Sequence, residues 1–245
     1  MLDPASSRAA EGRFPDEARA VLEKARKVNL DFASHLPNFV VDETAKRYTS
    51  AAFPLQWQAM DTVKSEVTFR GPVETRAHIV LDGKDWNHPF RQLPGLIWST
   101  EYGSFIRPIF DPACPTTLAS AGKGKVRGMD LFIFTFHAAA ETCFGPFQSK
   151  YQLYYPARSG RLYVDGSNGQ LMQMDIKWDS APSAFSVLDE ESEISWARVT
   201  VGNQSLVLPV SIDEMTRGAS GWCWWVRMEE TNHRQFEAAS TITFN

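Results

Sequence analysis

The sequence predicts a mainly β protein with some α: an antiparallel, unclosed β-barrel (a half-barrel) with an N-terminal helix and an inserted helical plug. Three observations predict it. First, the second half of the chain is a succession of short runs of alternating apolar residues closed by turn residues, at 131–137, 147–155, 161–165, 170–178, 193–201, 205–216, 222–230 and 239–244. A one-faced antiparallel sheet of that size must cover its apolar face, and curling around an interior is one way to do so. Second, one strongly amphipathic helix precedes all the strands. Third, between Gly83 and Pro115 the alternation gives way to a helical period.

Taken in order, residues 1–14 are small, polar and unpatterned and read as a disordered tail, leaving 15–245 as a single domain, a length that suits one large β domain. Pro15 opens a helix, with Asp16 and Glu17 placed well for its dipole. Ala18, Val21, Leu22, Ala25, Val28, Phe32 and Leu36 recur at three- and four-residue steps, and Pro37 stops the run. The polar face mixes signs, so packing on a sheet is expected rather than a membrane surface. Residues 38–48 read as a strand. Residues 62–70 alternate, with Val63, Val67 and Phe69 against Lys64, Glu66 and Arg70, and 75–81 repeat the pattern with Ala77, Ile79 and Leu81 before an Asp82-Gly83 turn. In 95–112, Phe105, Ile106, Ile109 and Phe110 cluster on a helical period, with Ser99 or Thr100 available as a cap, and the segment reads as a plug laid across an open sheet.

Composition narrows the function. A net charge of −4, with basic and acidic residues interspersed, gives no field to attract nucleic acid. No stretch approaches the ~20 apolar residues that span a bilayer. The first residues lack the apolar core of a secretory signal, which leaves either a cytoplasmic protein or a start placed after a removed signal. Cys114 and Cys143 each sit in a Pro-flanked loop about thirty residues apart. They suit a disulfide in an oxidising compartment, with free thiols as the alternative, whereas Cys223 reads as a buried, unpaired strand residue.

Motifs for chemistry are missing. His35, His78, His88, His137 and His233 have no metal-ligand spacing, so neither metal nor cofactor is expected. Gly122-Lys-Gly-Lys lacks the form of a phosphate loop and reads as a solvated turn. The acidic runs Asp42-Glu43 and Asp189-Glu-Glu-Ser-Glu193 read as solvated faces. A glycosidase would need two carboxylates converging in a cleft. Aromatic and soft apolar residues carry the stronger signal. Trp98, Phe105 and Phe110 from the plug, with Met172, Met174 and Trp178 from one face of a strand, either fill a core or line a pocket for an apolar ligand.

The order of helix, meander, plug and further meander resembles the outer-membrane lipoprotein carrier and sorting family and its relatives. The local echoes are Arg161-Leu-Tyr-Val-Asp165-Gly-Ser-Asn-Gly169, similar to that family's strand–Asp-x-x-x-Gly–strand hairpin, together with Trp98-Ser-Thr-x-x-Gly103-Ser104-x-Ile106 and Asn232-His-Arg-x-Phe236. The resemblance implies an unclosed barrel holding lipid chains on an apolar face, without catalysis. It also implies a periplasmic or secreted location and a lipid, acyl chain or envelope protein as partner. It carries no site residue onto this chain. Two further readings stand beside it. One is a small enzyme on the same scaffold, for which a buried, unpartnered His137 or Glu66 would speak. The other is an envelope interaction or sensor module taking a peptide at a sheet edge or groove.

Overall fold

The computed structural model describes residues 15–51, 53–70, 73–98, 103–148, 153–178, 181–182 and 185–236. The expected tail at 1–14, the strand at 239–244 and the Ser99/Thr100 cap lie outside them. Helix α1 (Asp16–His35) is followed by β1 (Phe39–Ser50), β2 (Gln58–Arg70), β3 (Val73–Leu81) and β4 (Lys84–Asp85). Helix α2 (Ile106–Phe110) comes next, then β5 (Thr116–Val126), β6 (Met129–Ala138), β7 (Phe147–Gln148), β8 (Leu153–Tyr154) and β9 (Arg158–Val164). Then come β10 (Leu171–Trp178), β11 (Val187–Val201), β12 (Gln204–Gly218) and β13 (Cys223–Gln235).

Eleven strands form one unclosed sheet in the order β4-β3-β2-β1-β13-β12-β11-β10-β9-β6-β5. Each strand pairs antiparallel with its neighbour. Most neighbours are joined in sequence. The β1–β13 pairing instead brings the two halves of the chain together, with Ala45 opposite Met228.

One face of the sheet is covered. Its apolar side chains include Phe134, Leu162, Met174, Ile194, Ile212, Met228, Ala45 and Val63, which form one core with Ala18, Val21, Leu22 and Ala25 of α1 and Ile106, Ile109 and Phe110 of α2. The stripe foreseen on α1 is thus the face it buries. Asn29 is buried in that stripe as well. Its amide donates to the Gly169 carbonyl at 2.9 Å, and its carbonyl accepts from Leu171 N at 3.2 Å. The β9–β10 turn is built to receive it. Asp165 accepts from Ser167 and Asn168, and burial alone would raise its pKa, but these bonds hold the carboxyl below its ordinary value. Gly169 has φ +80°, and a Cβ there would meet the α1 backbone at 2.9 Å.

Five expectations change. Residues 116–126 form a strand, with Gly122–Lys125 inside it rather than in a solvated turn, because a β-bulge at Ser120/Gly122 breaks the alternation that would have revealed it. In β3 an extra residue at His78, with φ +50°, shifts the register between Lys64 and Glu66, so Arg76 rather than Ala77 shares the covered face with Ile79. Of the run 147–155, the described residues give β7 and β8, which among the described residues pair with each other rather than with the main sheet. Glu43 and Glu190, read as solvated, point to the covered face: Glu43 is 1% exposed and Glu190 half-buried. His137 is exposed and Glu66 is paired with Arg234 at 2.9 Å, so the observation that would have favoured an enzyme is not met at either residue.

Cys114 and Cys143 are joined in a disulfide across 29 residues, and Cys223 is free and buried. Closing a loop of that size removes roughly 3–4 kcal/mol of unfolded-state freedom. Here it ties the segment after α2 to the β6–β7 connection.

Candidate functional site

Segment 86–98 of the cover rests on two buried arginines that project from strands among apolar neighbours. Arg47 of β1 forms a forked pair with Asp61 of β2, with both bonds at 2.6 Å, and also donates to the carbonyls of Pro94 at 2.6 Å and Leu96 at 3.0 Å. Only 2% of its side chain is exposed. Arg76 of β3 pairs with Glu43 at 2.9 Å and with Glu74, and Ser65 donates to Glu43 at 3.2 Å. Trp98 lies within 6 Å of both guanidinium groups and stands edge-on to Phe90 at 5.0 Å. Segment 86–98 is therefore pinned to the sheet by charge-assisted bonds to its own backbone and by cation–π contacts.

The residues foreseen as a pocket separate into three settings. Trp98, Phe110 and Met174 are sealed in the main core, Phe110 at 1% exposure. Phe105 and Met172 are half-buried at its margin. Phe105 faces Phe144 at 6.0 Å, with the Arg158 guanidinium over both rings. Trp178 belongs to a separate cluster with Ala181 and Phe185, and Phe147 lies 4.8 Å from its ring.

Polar residues that sequence reasoning missed occupy the covered face next to these. Ile176, Ser192, Glu214 and Val226 stand opposite one another across β10 to β13, and Trp178, Glu190, Thr216 and Trp224 form the adjacent row. Glu190 and Glu214 keep partial solvent access although protein surrounds them. Burial, then the charge of Glu190, pushes Glu214 well above the ordinary glutamate value of 4.5. Burial raises Glu190 too, against the Trp178 indole bond and the charge of Arg158. An acid whose pKa rises on folding costs nothing below its unfolded pKa and destabilises progressively as pH climbs from there towards the folded value. Glu214→Gln is therefore expected to raise Tm at neutral pH and leave it unchanged below pH 4.5, which melting curves across pH can check. An equal change at both pH values would contradict the burial of this carboxyl.

The opposite face carries a groove of about 570 Å³. Three carboxylates, Asp175, Glu193 and Asp213, stand side by side on β10, β11 and β12, with Arg161 and Arg227 at the ends of the row. Trp57 and Trp225, 5.6 Å apart, form one wall, and the Trp225 indole donates to Asp213 at 3.0 Å. Among the described residues no group of His, Cys, Asp and Glu is arranged to hold a metal ion.

No protein-family model matches the chain, and no curated protein matches it significantly. Solved structures do. A DUF1329 family protein from Desulfovibrio piger is 12% identical, with a TM-score of 0.43 over 91% of this chain and 95% of its own. A LolA superfamily protein from Nitrosomonas europaea is 10% identical, with a TM-score of 0.36 over 91% and 94%. A domain assigned to an outer membrane lipoprotein-sorting protein from Vibrio parahaemolyticus is 9% identical, with a TM-score of 0.40 over 91% and 95%.

Proposed function

We propose that this chain is a binding protein that holds an apolar chain, such as a lipid or acyl group, between the covered face of its sheet and the segment laid over it, without chemistry. The observation that carries this reading is how the face is roofed. An apolar surface interrupted by Glu43, Arg47 and Arg76 lies beneath α1, α2 and segment 86–98, and that segment is held by two hydrogen bonds from Arg47 and by Arg76 set against the rings of Phe90 and Trp98. Such a roof can part from its face at fewer points than a packed sheet. Phe110 and Met174 are sealed, so the ligand enters as the roof lifts at its margin beside Arg158, where Phe105 is half-buried, and Met172 lies at the far end of β10. The disulfide supports an oxidising compartment, periplasmic or extracellular. Among the described residues no helix is long and apolar enough to cross a membrane.

Phe105→Asp tests the placement. It is expected to weaken uptake of a fluorescent fatty acid by at least ~10-fold, because a charge at the margin opposes apolar entry, while leaving the far-UV spectrum intact. Undiminished uptake would remove Phe105 from the site. Phe110→Asp cannot serve, since a charge at a sealed core position unfolds the protein. Native mass spectrometry of protein from its own host completes the test. A co-purifying lipid supports the reading, whereas a co-purifying peptide lost on Trp57→Ala would move the function to the outer groove.

A further inference from the structure

On the covered face, beside the apolar rows, Glu190 of β11 and Glu214 of β12 are diagonal neighbours. Thr216 sits directly opposite Glu190 and two residues from Glu214. Thr216 is wholly buried, and its hydroxyl has no hydrogen-bond partner among the described residues. A hydroxyl left this way costs on the order of 1–3 kcal/mol, which a ligand donor would recover. Trp178 and Trp224 close the same row on either side. One step along the face lie Ile176 and Val226, followed by Met174, Ile194, Ile212 and Met228, so the polar group passes directly into apolar surface.

We propose that this polar group recognises the primary ammonium head of an amphiphile whose alkyl chain lies along the adjacent apolar rows. The proposal rests on the carrier reading and names its ligand class. A primary ammonium has three N–H donors, and Glu190, Glu214 and Thr216 supply three acceptors on one patch of sheet. The charge of Glu190 opposes ionisation of Glu214, while Arg158 already offsets part of the burial of Glu190, so an added cation gains most beside Glu214. A carboxylate head would add a further negative charge instead. An alkanol would satisfy Thr216 and leave the carboxyl pair as it is.

The experiment compares dodecylamine, dodecanol and dodecanoate as ligands of the full chain at neutral pH by calorimetry. Dodecylamine is expected to bind about 10- to 100-fold more tightly than dodecanol, the range of a charge-assisted bond, and dodecanoate most weakly. In the Glu190→Gln/Glu214→Gln variant the amine-to-alkanol ratio falls towards one. If the three ligands bind the wild-type chain within about threefold of one another, or if the ratio survives the double substitution, the head-group assignment is overturned and the carrier reading stands. If none of the three binds, the carrier reading falls and this inference with it.

Discussion

Arg47→Ala is expected to cost about 3–5 kcal/mol of stability, because it leaves the Asp61 carboxylate buried without its partner. For a chain of this length that corresponds to a fall in Tm of roughly 10 °C or more. Asp61 is only 8% exposed, so water cannot replace the guanidinium. The carbonyls of Pro94 and Leu96 lose their donor at the same time, which releases the loop over Trp98. Hydrogen exchange should therefore accelerate in 93–98 beyond what the global loss of stability explains. Arg47→Lys keeps the charge but not the fork, and should fall between the two. Thermal melts and exchange on the same samples decide it: a Tm within about 2 °C of wild type would mean that the pair contributes little and that the roof is held elsewhere.

Gly160→Val is expected to abolish soluble folding or to lower Tm by more than that. Gly160 lies in β9 between Phe136 and Ile176. A Cβ built there would stand 1.9 Å from the Asp175 carbonyl oxygen and 2.7 Å from the Phe136 ring. The ring could turn aside, but the carbonyl belongs to the β10 backbone and can move only if the β9–β10 pairing distorts. Overpacking of cores usually costs about 1–3 kcal/mol, and a clash with backbone lies at or beyond the top of that range. Gly145→Ala is the control. Nothing lies within 4 Å of its Cβ, and a change of under about 0.5 kcal/mol is expected. Equal behaviour of the two variants in solubility and denaturation would refute the packing argument.

What could be read from the sequence followed from periodicity. The helix α1 stripe and the alternation of β2 are repeated over enough residues to fix which side is buried. Strand β5 escaped because its glycines and lysines carry no alternation and its bulge breaks what remains. The candidate site was hidden for a different reason. In β1 the buried positions run Phe39, Val41, Glu43, Ala45, Arg47, a perfect alternation in which two members are charged. Alternation alone assigns charged residues to solvent, and only their partners show otherwise. Asp61 and Arg76 lie fourteen and thirty-three residues further along, so the pairing becomes visible only once the strands are side by side. Glu190 and Glu214 were hidden in the same way: one sits within an acidic run and the other between Asp213 and Met215.

An open sheet has two ends, and each is a surface on which another chain could polymerise. At one end β4 covers only Val80 and Leu81, so most of β3 is edge as well, and there the extra residue at His78, with φ +50°, breaks the regular ladder. At the other, β5 carries Lys123 and Lys125, interrupts its pairing with a bulge, and includes glycines at 122 and 124. A strand arriving there would meet like charges and an irregular backbone. The molecule thus keeps the curvature of an unclosed sheet without the tendency to grow fibrils that a long, flat, apolar edge would bring. A peptide partner would find a regular edge only along the first residues of β3, before His78, so strand addition has one short footing among the described residues.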